Sequence, residues 1–405
     1  MRQKTKIGYI SLFHPPDAGG GEIYLARMIH ALESFDQYLW TTTPVEKISD
    51  GRFAEKCSVR SFASSPAMDY ATIGKWFDKN HEKMFLDIDR WSKKIGLDLL
   101  IFNAPITYFD QVKPFIDSIK GDQPIGCILH DVPGQSFSIL LNEFQKTESW
   151  EESLKKVRPQ LYELATKEKD ALYASPFSLK TDFTIYNSNW VKGFYDLKDE
   201  RESFILHPLI SRTNDLPELG LKPVDLTIVN PLPMKGAALF LALANFYFRD
   251  YKIRILGGGY NSAMAKLEPF LSPVESGFYR AEPPNNLEVL GHVENMSEVY
   301  RNTKILLHPT RIEGYGMTAV EALLENRIVI TTDIPGVVEG VGDAAIKMPY
   351  YATPQNWADT ISSALENEDR WRDKIEKRAK FLIDRQTKEI ADLEQYLEGF
   401  VKRKG

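Results

Sequence analysis

Short apolar runs, each ended by a polar or glycine-rich loop and followed by a stretch of helical periodicity, recur along the chain. Ile7–Phe13 is the first run, His14–Gly21 its loop and Glu22–Leu32 the helical stretch. Leu97–Phe102, Ile125–Leu129 and Phe183–Tyr186 continue the series. After Ser211–Pro223, which is polar and rich in Pro and Gly, the pattern restarts with Leu226–Val229, a loop, and the apolar helix Ala237–Tyr247. Ile253–Leu256, Leu287–Gly291, Ile305–Leu307 and Ile328–Ile330 follow. Continuous β-branched runs suit strands buried on both faces of a parallel sheet. Their alternation with helices predicts an α/β protein, and the polar stretch is the best domain boundary. It divides residues 1–210 from residues 211–384, each read as a doubly wound, Rossmann-like domain.

Thr303–Thr332 is the most informative stretch. Val320, Leu323 and Leu324 form the apolar stripe of a helix, and Asn326 is a left-handed stop. Arg311–Gly316 then lies at the carboxyl edge of the sheet, where open α/β sheets bind ligands. Gly314 and Gly316 flank Tyr315 and let the backbone approach a ligand. The helix begins near Met317, so the amides of Gly316, Met317 and Thr318 face the loop as free donors. Glu313 precedes that helix and Glu321 sits beside its apolar stripe. Carboxylates there suit pairs of sugar or ribose hydroxyls; the plainer alternative is two acids favoured by the helix dipole.

Two further loops fit a phosphate. His14–Gly21 carries Gly20 and Gly21 between a strand and a helix, though its spacing is not a dinucleotide fingerprint. Asn230–Gly236 (NPLPMKG) places Lys235 beside a glycine at a helix start, where a cation pairs with phosphate. Gly257–Gly259 reads as a structural turn.

Composition narrows the classes. A chain of 405 residues, 43% hydrophobic, has ample core for two or three domains. The formal charge of −6 is shared between the halves, so nucleic acid is not an expected partner. Met1–Lys6 is polar and Ile7–Phe13 is short, so no signal peptide is expected, and no run nears the roughly 20 apolar residues of a membrane span. Cys57 and Cys127 are too few and too scattered for a disulfide framework or a zinc site. The expectation is a soluble protein of a reducing, cytoplasmic compartment. Ile73–Ile95 carries Trp76, Phe77, Phe85 and Trp91 among charges; it reads as a surface helix, with a peripheral contact at the inner membrane face left open. Trp150–Ala171 reads as a charged, solvated helical face.

The string Glu313-Gly-Tyr-Gly…Glu321-Ala, with seven residues between the glutamates, resembles the signature of retaining glycosyltransferases of family 4. The resemblance implies a GT-B fold, two Rossmann-like domains facing a central cleft. The second would hold a nucleotide diphosphate sugar, and the segment 385–405 would cross back to complete the first. It implies a site of Gly20 and Gly21 at the diphosphate and acceptor, with Lys235 on the diphosphate. Glu313 and Gly314–Thr318 would take the sugar and leaving group, Glu321 the ribose, and His292 and Val293 the base through backbone groups. His130, ending the run Ile125–Leu129, matches the histidine that reaches across the cleft to the sugar; a satisfied structural histidine is the alternative. Asn187-Ser188-Asn189 matches the polar turn after the last strand of the first domain, Ile205–Pro208 the exit to the linker, and Ile334–Glu339 the gly-x-x-glu turn. The family usually has an arginine where Asn230 stands, so Lys235 would carry an unusually large share of diphosphate binding, with Asn230 adding a neutral hydrogen bond; the alternative is that another basic residue, such as Arg311, fills the vacancy.

The implied reaction is transfer of a sugar to an acceptor hydroxyl with retention, with no metal and no cofactor beyond the donor. The acceptor is a glycan, a lipid-linked sugar or a small molecule. One rival is a nucleotide-sugar epimerase or a phosphorylase of the same architecture; another is a non-catalytic nucleotide-binding subunit.

Overall fold

The structure, a computed structural model, describes residues 4–14, 19–43, 55–62, 70–104, 106–108, 111–119, 123–130, 181–195, 202–210, 217–231, 235–257, 286–291, 293, 295–311 and 313–404. The chain forms two compact units, Met1–Leu209 with Gln386–Gly405, and Ile210–Arg385.

In the first unit the strands are β1 (Lys6–Ser11), β2 (Asp36–Thr41), β3 (Ser58–Ser61), β4 (Leu99–Asn103), β5 (Ile125–Leu129), β6 (Phe183–Tyr186) and β7 (Glu202–Ile205). They form one sheet in the order β3-β2-β1-β4-β5-β6-β7, every pairing parallel. Successive side chains point to opposite faces, so both faces are apolar. Ile10, Leu12, Leu100 and Phe102 pack on one side with Phe77, Met84 and Ile88 of the helix Tyr70–Ile95. Ile7, Tyr9, Leu99 and Ile101 pack on the other with Leu25, Met28 and Ile29 of the helix Gly20–Ala31. Leu393, Leu397 and Phe400, near the end of the 36-residue helix Asp369–Lys404, join this second face.

The second unit has β8 (Val224–Val229), β9 (Ile253–Leu256), β10 (Leu287–Leu290), β11 (Thr303–His308), β12 (Ile328–Thr332) and β13 (Ile346–Met348), in the order β10-β9-β8-β11-β12-β13, again all parallel. Leu226, Ile228, Ile305 and Ile330 meet Phe240, Leu243, Leu323 and Val337 in one core. Arg254 is fully buried and satisfied: it donates to Glu288 Oε2 at 2.7 Å and to the carbonyls of Lys222 at 2.6 Å and Asn302 at 3.3 Å.

Several expectations shift. The helix expected over Ala237–Tyr247 is α-helical only to Ala242 and continues as a π-turn, Leu243–Tyr247. Within this turn Asn245 Nδ2 donates to the Leu241 carbonyl at 2.8 Å. Ile334–Glu339 lies mostly in a helix, Pro335–Val341, because proline at the first position suits a helix start. Toward the chain's end, Pro354–Glu366 and Asp369–Lys404 are two helices parted near Asn367; Thr353 and Asn356 form a capping box at the first. The aromatic stripe of Ile73–Ile95 faces inward: Phe77, Phe85 and Trp91 are buried and Trp76 packs on the same core. Among the described residues no helix is long and apolar enough to cross a membrane. Trp150–Ala171, Gly258 and Gly259 lie outside the described residues, as do residues 211–216 of the boundary stretch.

Candidate functional site

In the second unit the strand order reverses between β8 and β11, and the loops after these two strands meet there. Asn230 follows β8 with φ 50°, in the left-handed region that asparagine tolerates. Gly236 caps the next helix at φ 86°; a Cβ on it would lie 2.4 Å from Pro309 Cγ, so the first loop rests directly on the second. Across this contact Lys235 Nζ donates to Glu313 Oε2 at 3.0 Å and Oε1 at 3.2 Å. The two side chains are 28% and 18% exposed, sheltered enough for the pair to matter and open enough for a ligand to reach. Burial alone would raise the Glu313 carboxyl; the charge of Lys235 and the hydrogen bond from it outweigh burial and hold Glu313 below the ordinary carboxylate value. His308, the last residue of β11, is buried, and its Nε2 has no partner among the described residues. Burial brings its pKa down to about 4, with Glu313 opposing and Lys235 reinforcing the shift, so the ring is neutral.

The loop from Glu313 to Gly316 is clamped from two sides. A Cβ on Gly336 would lie 2.2 Å from the Glu313 carbonyl oxygen, so only glycine lets the helix Pro335–Val341 lie flush against the loop backbone. Tyr315 is buried; its hydroxyl bonds the Arg385 guanidinium, which also lies 5.6 Å from the ring centroid. Gly316 caps the helix Met317–Leu324 at φ 75°. Met317 and Thr318 are half-buried, and their first-turn amides have no acceptor within the helix. One turn on, Glu321 Oε2 accepts from the Tyr300 hydroxyl at 3.2 Å. Arg311 stacks on Tyr350, 5.2 Å from its centroid. Val293 is half-buried beyond β10, and His292 lies outside the described residues, as do residues 232–234 of the lysine loop.

The first unit has its own reversal point, between β1 and β4. Gly20 and Gly21 belong to the first turn of the helix Gly20–Ala31 rather than to the loop before it. A Cβ on Gly21 would stand 3.0 Å from His130 Cδ2, so the helix start presses on that ring. His130 follows β5 and is 6% exposed. Its Nε2 lies 2.6 Å from Asn103 Oδ1, its carbonyl accepts from Asn187 Nδ2 at 2.7 Å, and Tyr24 meets the ring edge-on at 4.6 Å. Burial brings its pKa down to about 3.

Lys235, Glu313 and Gly314–Thr318 thus gather at one sheet edge of the second unit, with Asn230 and Glu321 bordering it. Gly20, Gly21 and His130 gather at one edge of the first. Reading the sequence missed His308 and Asn103. Each is a single polar residue closing an apolar run, and that position was the available signal.

Comparison with known proteins gives three findings. Residues 224–381 match the family model described as glycosyl transferases group 1. No curated protein sequence matches. Solved structures match over almost the whole chain at low identity. Sucrose-phosphate synthase from Thermosynechococcus elongatus is 14% identical, with 99% of this chain and 100% of that one covered at a TM-score of 0.69. HepE from Anabaena, solved with UDP and glucose, is 14% identical, with 98% and 99% covered at 0.63. A glycosyltransferase from Rickettsia africae is 14% identical, with 98% of each covered at 0.61. The chain therefore has the GT-B fold, and most of its second unit matches the glycosyl transferases group 1 family.

Proposed function

We propose that this protein is a retaining glycosyltransferase that moves a sugar from a nucleotide diphosphate sugar to an acceptor hydroxyl without a divalent metal. The observation that carries the reading is the Lys235–Glu313 pair at the strand-order reversal, inside the segment that matches the glycosyl transferases group 1 model. A cation beside helix-start amides suits a diphosphate, and a carboxylate beside it suits sugar hydroxyls.

In this reading the diphosphate takes Lys235 from Glu313. The C1–O bond to the diphosphate breaks as an oxocarbenium-like centre forms, and Lys235 with the amides of Gly316, Met317 and Thr318 stabilises the leaving charge. Glu313, released from the lysine, accepts hydroxyls of the sugar, and Glu321 those of the ribose. The acceptor oxygen bonds to C1 on the face the phosphate leaves, and its proton passes to a leaving phosphate oxygen, which gives retention. Gly20 and Gly21 lie at the diphosphate and acceptor, backbone groups of His292 and Val293 hold the base, and His130 takes the sugar. No step here requires a metal, because the cation and the helix start supply the positive potential. Cytoplasmic work on a glycan, lipid-linked or small-molecule acceptor fits this chemistry.

HepE binds UDP and glucose, so UDP-sugars are the first donors to try, beside GDP- and ADP-sugars, with a panel of acceptor alcohols and with inorganic phosphate. Donor consumption that needs an alcohol, continues in chelator and yields a product of the donor's anomeric configuration supports the reading. Turnover that needs phosphate, or epimerisation without an acceptor, would replace it. Binding with no turnover over the whole panel would make this a non-catalytic subunit.

A further inference from the structure

Imidazole has two ring nitrogens, and when neutral only one carries a proton. At His130 the hydrogen bonding decides which. Nε2 lies 2.6 Å from Asn103 Oδ1, a carbonyl oxygen that can only accept. Asn103 Nδ2 in turn donates to Ser11 Oγ at 3.3 Å. The three residues close neighbouring strands, β1, β4 and β5, so the sheet register sets their spacing. The ring has little freedom to turn. Tyr24 packs edge-on at 4.6 Å, the space a Cβ of Gly21 would need is taken by the ring, and Asn187 holds the His130 carbonyl.

We propose that Asn103 is a positioning residue that locks His130 in the Nε2–H tautomer, leaving Nδ1 as a hydrogen-bond acceptor for a hydroxyl of the donor sugar. This rests on the reading of His130 as a sugar contact. The chemistry favours a neutral acceptor. A protonated ring would repel the positive charge that develops at C1, whereas a lone pair takes a hydroxyl proton at no such cost. Burial, which keeps the ring unprotonated at neutral pH, serves the same end. An apolar residue at 103 would leave both tautomers open, and only one of them could accept.

The test uses the full chain labelled with 15N. Long-range 1H–15N correlation should assign His130 as Nε2–H with an unprotonated Nδ1. UDP-glucose should shift the Nδ1 resonance and UDP alone should not. Asn103→Leu should mix the tautomers and lower kcat about tenfold, the loss of roughly one hydrogen bond, with the Kd for UDP unchanged. Asn103→Asp should restore the tautomer, since a carboxylate also accepts from Nε2–H, but its charge should raise the acidic limb of the kcat profile. A structural role alone would lower the melting temperature of Asn103→Leu without moving the Nδ1 resonance. An Nδ1–H tautomer in the wild type, or an Nδ1 resonance that ignores UDP-glucose while the sugar nucleotide binds, overturns the proposal. If no donor turns over, the transferase reading fails, and the donor-induced Nδ1 shift still decides whether His130 accepts from a sugar.

Discussion

Both sheets reverse their strand order between the first and fourth strand of their unit, and each places polar side chains at that point. In the first unit the ones that surround His130 are neutral, Ser11, Asn103 and Asn187 about a histidine held uncharged by burial. In the second they are charged: Lys235 with Glu313, beside a second buried neutral histidine, His308. The shared topology provides the location, and the few residues that end the strands decide what it recognises. A neutral network suits hydroxyls; a lysine–glutamate pair suits a phosphate and a sugar that exchange partners on binding.

The sharpest way to break the contrast is to remove the charge. Lys235→Ala is expected to lower kcat/KM for the donor by roughly two orders of magnitude. It deletes charge-assisted bonds of about 1.5–3 kcal/mol and leaves Glu313 without its cation. Steady-state kinetics on Lys235→Ala and Arg311→Ala check this; a mild first loss and a severe second one would move the clamp to Arg311.

Glu313→Gln separates the two halves of the pair. It should cut the single-turnover rate by about tenfold or more while nucleoside diphosphate binds as well as before or better, because Lys235 is no longer engaged. Rapid quench with a parallel binding titration tests this, and a wild-type rate would remove Glu313 from the chemistry.

The two buried histidines predict a common pH response. Their pKa values, about 3 for His130 and about 4 for His308, lie below the ordinary value of about 6.5, so the unfolded chain binds more protons between those limits. Each histidine's stability is complete above about pH 6.5 and declines as pH falls, by up to about 1.4 kcal/mol per pH unit. Glu313, held below the ordinary carboxylate value, adds its loss only below about pH 4.5. Urea unfolding at pH 7 and pH 5 should show a smaller drop for His308→Gln than for the wild type; an equal drop would mean the ring is not buried and neutral.

The smallest expected effects lie at the border of the second site. Glu321→Ala should weaken donor binding by roughly 1–3 kcal/mol with little change in single-turnover rate. Asn230→Gly keeps the φ of 50° and removes only a neutral amide, about 1 kcal/mol in donor titrations. An Asn230→Gly loss as large as that of Lys235→Ala would mean the asparagine replaces the missing cation in full.

Where an apolar run was β-branched and ended in a polar or glycine loop, the sequence read true. Ile125–Leu129, Phe183–Tyr186 and Ile253–Leu256 are strands over those very residues, the helix after the EGYG loop starts at Met317, and Asn326 is left-handed at φ 58°. The edge strands β3, β7 and β13 gave no such signal, because they are short and partly exposed. The π-turn Leu243–Tyr247 keeps the apolar character of the helix before it, so hydrophobic periodicity does not record it. Lys235 and Glu313 are 78 residues apart, so each could be singled out in its loop but their contact could not. Asn103 and His308 were missed because one polar residue after an apolar run resembles any strand end.

The charge at the second unit's reversal point is expected to hold the donor diphosphate. Calorimetric titration of UDP-, GDP- and ADP-glucose into wild type, Lys235→Ala and Glu313→Gln tests it most directly. The donor bound by the wild type is expected to bind at least tenfold more weakly to Lys235→Ala and no more weakly to Glu313→Gln. Equal affinity in wild type and Lys235→Ala would contradict it.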